Sequence, residues 1–171
     1  MRGSLVLIVL SILTTSCGRS PPPAREQTLA NLKQQADRMC VALASNDHET
    51  LADFTPPHFI QAIGGRAKIV ESIERMKTSG IAIRDVTILA YPSDWMEAAG
   101  DYYAVVSKTT RMTMPTGAKV KVTGTMLAIS SDRGRNWSFV DGRPRRILLT
   151  VFPNLPNDLA ISANSIPTPD E

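Results

Sequence analysis

By residue type, the side chains of this sequence that could do chemistry are two cysteines, two histidines and a run of arginines. Their spacing decides what that chemistry would be. A nucleophilic thiol needs an activating base. Spacing alone brings neither His48 nor His58 beside Cys40, which is flanked by Met39 and Val41 and reads as a small buried hydrophobe. A metal site would need clustered histidine, cysteine or carboxylate ligands. His48-Glu49 and His58 are instead separated by Pro56 and Pro57, and no zinc or calcium motif is present. The residue pattern therefore assigns no catalytic residue, no metal and no cofactor.

Two further groups suggest binding rather than catalysis. Arg133, Arg135, Arg143, Arg145 and Arg146, relieved only by Asp132 and Asp141, form the one strong charge cluster. Such a run is either a solvated face or a contact for anionic lipid, lipopolysaccharide or polymer. Trp95-Met96 falls in a turn-rich stretch, where an aromatic can anchor a partner, lid a cavity or fold back onto a sheet. Met112, Met114 and Met126 lie on segments expected to be neighbours, either filling a core or softening a pocket.

The elements that must position these residues divide the chain into a helical half and a β half. Leu29, Leu32, Ala36, Met39, Cys40 and Leu43 recur at three- and four-residue steps and predict an amphipathic helix over residues 25–45. Asn46-Asp47 breaks it, and Asp47 can cap a short helix carrying Leu51 and Phe54 that Thr55-Pro56-Pro57 ends. Phe59, Ile60 and Ile63 suggest one further apolar turn before Gly64-Gly65. A helix over residues 66–78 follows, with Ile69, Val70, Ile73 and Met76 as its stripe. Beyond Gly80 the period becomes alternating, which predicts four strands over residues 81–91, 101–114, 119–130 and 137–141 in an antiparallel meander. Both faces of the central strands carry apolar residues toward one end, as in a curved sheet covered there on both sides. Residues 143–152 read as a short helix starting near Pro144, and the prolines beyond as a docked strap followed by a loose tail over residues 157–171.

With 171 residues, 43% hydrophobic and 20% charged, the chain suits one globular domain, assigned to residues 26–156. A formal charge of +3, one unit of it from Arg2, is too mild for a nucleic-acid binder.

Residues 1–16 contain a single charge, Arg2, and an apolar stretch over residues 5–13. That stretch is shorter than the roughly 20 residues a membrane span needs and fits the apolar region of an export signal. Leu13-Thr14-Thr15-Ser16-Cys17 resembles the lipobox of bacterial lipoproteins, although Thr14 occupies the place where leucine is usual. The resemblance implies acylation of Cys17, cleavage before it, and a Pro-rich tether over residues 17–25. Ordinary signal cleavage before Cys17 is the alternative, and would leave Cys17 able to pair with Cys40. Gly18, in the place where aspartate would favour inner-membrane retention, points to an outer membrane facing the periplasm in a Gram-negative envelope.

Helices first, then a long meander ending in Trp137-Ser138-Phe139-Val140-Asp141-Gly142, resembles the cone-shaped α+β fold of nuclear transport factor 2 and the ketosteroid isomerases over residues 26–142. Gly64-Gly65-Arg66 and Phe152-Pro153-Asn154-Leu155-Pro156 are similar to segments of uncharacterised exported members. The resemblance implies helices closing the concave side of a bent sheet, around a cone that is either filled or open to ligand. Fold alone does not choose between these. An isomerase of this kind would place a carboxylate beside a tyrosine inside the cone, and Asp53, Asp85, Asp101, Tyr91, Tyr102 and Tyr103 are the available groups. The preferred expectation is a membrane-tethered, non-catalytic binding or interaction domain for a small apolar ligand, a second copy of the chain or another envelope protein. The alternatives are a small isomerase or dehydratase, and a dimeric structural lipoprotein with an exposed apolar sheet face.

Overall fold

A computed structural model describes residues 21–170. The expected signal peptide, Cys17 and Gly18 lie outside the described residues. Helix α1, Arg25–Ser45, buries Leu32, Ala36 and Cys40, one residue per turn along the stripe expected from the sequence. It stops where Asn46 enters the left-handed region at φ 56° and its N–H turns back to the carbonyls of Ala42 and Leu43. Asp47 caps α2, His48–Asp53, its carboxylate accepting from the Thr50 N–H at 3.1 Å. The chain then continues into α3, Pro57–Ala62, since a proline is well suited to a first helical turn. Gly64 and Gly65, at φ 95° and 101°, make the reversal into α4, Arg66–Thr78. Arg66 then ties α4 to α2 through Glu49 at 2.5 Å and Asp53 at 2.8 Å.

The helices pack on a curved antiparallel sheet, giving an α+β fold. Its strands are β1 (Ala82–Ala90), β2 (Met96–Ala98), β3 (Asp101–Thr113), β4 (Lys119–Ser130), β5 (Ser138–Asp141) and β6 (Thr168–Pro169). The main order is β1-β3-β4-β5, with β2 added to β3 and β6 to β4. Register shifts in β1 bend the sheet. Alternation sorts the side chains of β3 and β4 as the sequence suggests. Ala104, Val106, Met126 and Ala128 meet α1, Phe54, Trp137 and Phe139 on one face. Tyr103, Leu127 and Ile129 point the other way, against Val140 and the C-terminal segment. There α5, Arg145–Val151, begins after Pro144 and buries Leu148, while Phe152 and Leu155 complete the second core.

Two features differ from the sequence reading. Met96 is not in a loop but starts β2, a three-residue strand closed on β3 by Ala99-Gly100, both at positive φ as a tight primed turn requires. Residues 157–170 are docked rather than loose. β4 runs past the end of β5, and the strap satisfies that bare edge: the Ser165 N–H donates to the Thr123 carbonyl at 2.7 Å and the Asp170 N–H to that of Lys119 at 3.1 Å. The methionine-bearing strands β3 and β4 are neighbours as expected, Met112 opposing Val120 and Met126 opposing Val106 further along the pair, where Met126 fills the core. None of the helices among the described residues is long and apolar enough to cross a membrane.

Candidate ligand-binding pocket

Four helices and one strand converge on a pocket of about 220 Å³. Met39 and Leu43 of α1, Leu51 of α2, Phe59 of α3 with Ile63 just past its end, and Ile69 and Ile73 of α4 line it together with Phe139 and Val140 of β5, and the polar Thr55 and Ser72 stand among them. The helical stripes supply this lining because α2 and α3, at 6 residues each, are too short to bury them fully. Ile69 is buried, whereas Met39, Leu43, Phe59 and Ile73 remain partly open. Charged groups enter where Asp141 ends β5 and Arg143 follows it. The Arg143 guanidinium lies over the Phe59 ring, 5.7 Å from its centroid.

Asp141 connects the pocket to a buried cation. Lys108, on the helix-covered face of β3, is only 2% exposed, and its Nζ sits 3.0 Å from Asp141 Oδ1 and 3.0 Å from Thr110 Oγ1. The other Asp141 oxygen accepts from Asn164 Nδ2 at 3.0 Å. Opposite Lys108 in the register stands Gly124, and the strap lays Asn164 where a Gly124 side chain would be. One carboxylate therefore gathers a sheet lysine, the end of β5 and the C-terminal strap at the edge of an apolar cavity. Such an arrangement can hold charge in a fixed place and bind an apolar body beside it.

The carboxylates and tyrosines suggested by the sequence lie elsewhere. Asp53 is taken by Arg66. Asp85 is held below the usual carboxylate range, first by the Thr87 hydroxyl at 2.7 Å and then by Arg111 at 3.0 Å. Asp101 lies 3.5 Å from the Tyr103 hydroxyl, but Tyr103 belongs to the core under the strap, where burial raises its phenol. Tyr91 donates to Asp37 at the exposed edge of α1, and burial followed by that carboxylate pushes its phenol up to about 12. Tyr102 stacks on Trp95 with ring centroids 5.2 Å apart, so Trp95 folds back onto the sheet, against the first core. His48 opens α2 and His58 is exposed on α3. Cys40 is buried, and that burial drives its thiol to about 11.

The five arginines, all within residues 133–146, form two groups on either side of β5. Arg133 and Arg135 border an open groove of about 540 Å³ that also contains Glu97, Asp101 and Asp132. Asp132 organises that turn, accepting from Ser130, from the Arg135 and Asn136 N–H groups and from the Asn136 side chain. Arg135 also donates to the carbonyls of Asp132, at 3.2 Å, and of Pro21. Beyond β5, Arg145 points inward and clamps the carbonyls of Leu155, Pro156 and Leu159. Arg146 is exposed, and Arg143 is the member that reaches the pocket. The face of the sheet that an assembly lipoprotein would leave bare is covered by α5 and the strap.

Sequence reasoning missed Lys108 and treated Asp141 only as a counter-charge to the arginines. The available signal was a lysine at an inward-facing position in the alternation of β3, opposite a glycine in β4. No family model and no curated protein matches the chain. Among solved structures, it is similar to a conserved protein from Planctomyces limnophilus DSM 3776, with 15% identity and a TM-score of 0.47 over 67% of this chain and 92% of that one.

Proposed function

We propose that this protein is a membrane-tethered, non-catalytic binding domain, anchored through a lipid on Cys17, whose cone pocket takes up a small apolar ligand. The observation that carries the reading is the mainly apolar pocket lined by Leu43, Leu51, Phe59, Ile73 and Phe139, whose charged groups are Asp141 and Arg143. The placement of Asp53, Asp85 and Asp101 away from that cavity favours binding over carboxylate-and-tyrosine catalysis. The test is mass spectrometry of the intact protein taken from its native membrane, compared with an Ile73→Trp variant whose indole fills the pocket. Wild type is expected to carry an acyl-modified Cys17 and a co-purifying small apolar compound. The variant should keep the lipid and lose the compound. Identical small-molecule content in the two proteins would sink the pocket reading, and an unmodified Cys17 would sink the anchor.

A further inference from the structure

The rim of the pocket is unevenly balanced in charge. Asp141 is satisfied twice, by Lys108 Nζ at 3.0 Å on one oxygen and by Asn164 Nδ2 at 3.0 Å on the other. Arg143 has no such partner. Its only described contact is with the Phe59 ring, and among the described residues no carboxylate lies within 4.0 Å of its guanidinium. The edge therefore presents, beside an apolar cavity, a cation whose planar donors have no paired carboxylate among the described residues, while its one anion, Asp141, already accepts from Lys108 and Asn164. A ligand with a basic end would meet Arg143 and an engaged carboxylate, whereas an acidic end would meet free guanidinium donors.

The size of the cavity limits what lies behind that end. An apolar cavity of roughly 150 Å³ accommodates benzene, and drug-sized ligands usually take ~300 Å³ or more. At about 220 Å³ this pocket suits one ring or a short alkyl chain with a small head group. We propose that the ligand is a small apolar acid, its body held among Leu43, Phe59, Ile73 and Phe139 and its carboxylate paired with Arg143. This rests on the pocket being a binding site, as proposed above.

The experiment uses the full-length protein in detergent and two probes of equal shape, 4-phenylbutyrate and 4-phenylbutan-1-ol, with affinities measured by calorimetry at neutral pH. The acid is expected to bind about tenfold more tightly than the alcohol, the effect of one charge-assisted contact at a partly exposed site. Arg143→Gln should bring the acid down to the affinity of the alcohol while weakening the alcohol far less than the acid, and a urea unfolding midpoint equal to that of wild type shows that the variant is folded. Equal binding of acid and alcohol to wild type would overturn the assignment of an acidic ligand while leaving the pocket reading intact. A parallel loss of both probes in Arg143→Gln would make Arg143 a packing residue and overturn the assignment too. Failure of wild type to bind either probe would overturn both readings.

Discussion

Lys108 and Asp141 form a salt bridge whose two ends live in different solvents: the lysine side chain is 3% exposed and the carboxylate 49%. Removing either partner is therefore not equivalent. Asp141→Ala leaves a cation stranded in the core, at a cost of about 2–3 kcal/mol, below that of a fully buried pair because water can enter where the half-exposed carboxylate stood. Lys108→Met replaces that cation with a flexible apolar chain and leaves a carboxylate that water and Asn164 can still satisfy, so it should cost less than ~1.5 kcal/mol. Combining the two should recover most of what Asp141→Ala loses. Urea unfolding of the four proteins measures this directly, and equal losses from the two single variants would contradict it. This pair was hard to read in the sequence because Lys108 sits among Ser107, Thr109 and Thr110, where a lysine suggests an outward position. Its burial depends on Gly124 and Asn164, which lie far along the chain and supply space and polarity that no local pattern records.

Among the elements, the C-terminal strap depends most on single residues. A Cβ at Gly124 would overlap the Asn164 side chain and come within 3.1 Å of its Cα, so Gly124→Ala must swing the Asn164 amide away from Asp141 and shift the strap backbone beside it. The expected loss is about 1–3 kcal/mol, the range for overpacking. Hydrogen exchange should accelerate first at Ser165 and Asp170, whose amides bond to β4. Acid should release the same element. Burial tends to raise the Asp170 carboxyl, but hydrogen bonds from Arg84 and Arg111 win and hold it below the usual value. Its contribution is thus complete above an ordinary aspartate pKa of ~3.9 and fades as pH falls through the depressed folded value. Strap amides protected at pH 6 but exchanging freely near pH 3, ahead of those of β3, would bear this out. α1, α2, α4 and the long strands were legible because their periodicity is local. β2 and β6 were not, since a three-residue and a two-residue strand are defined by their partners rather than by their own composition.

At the scale of the molecule, the sheet carries a core on each face, and Cys40 reports on the integrity of the first. Its thiol is raised by burial to about 11, so in the folded protein it is both enclosed and protonated at pH 8. Labelling by a disulfide reagent should therefore proceed at the rate of global opening, slowing in step with any stabiliser. Fast labelling in native buffer would place Cys40 outside a closed core. The thiol's contribution to stability should be lost as pH rises from about 9, where the unfolded thiol ionises, to about 11. The two described ends of the chain also lie at opposite ends of β4. Arg135, just beyond Ser130, holds the Pro21 carbonyl, whereas Asp170 bonds to Lys119. Twelve residues of antiparallel strand separate those points by roughly 40 Å. Because the strap runs toward Lys119, tension between the two ends would act along the strap rather than across it. Its bonds to β4 would then be loaded together in shear, a geometry that resists mechanical extraction far better than peeling one bond at a time.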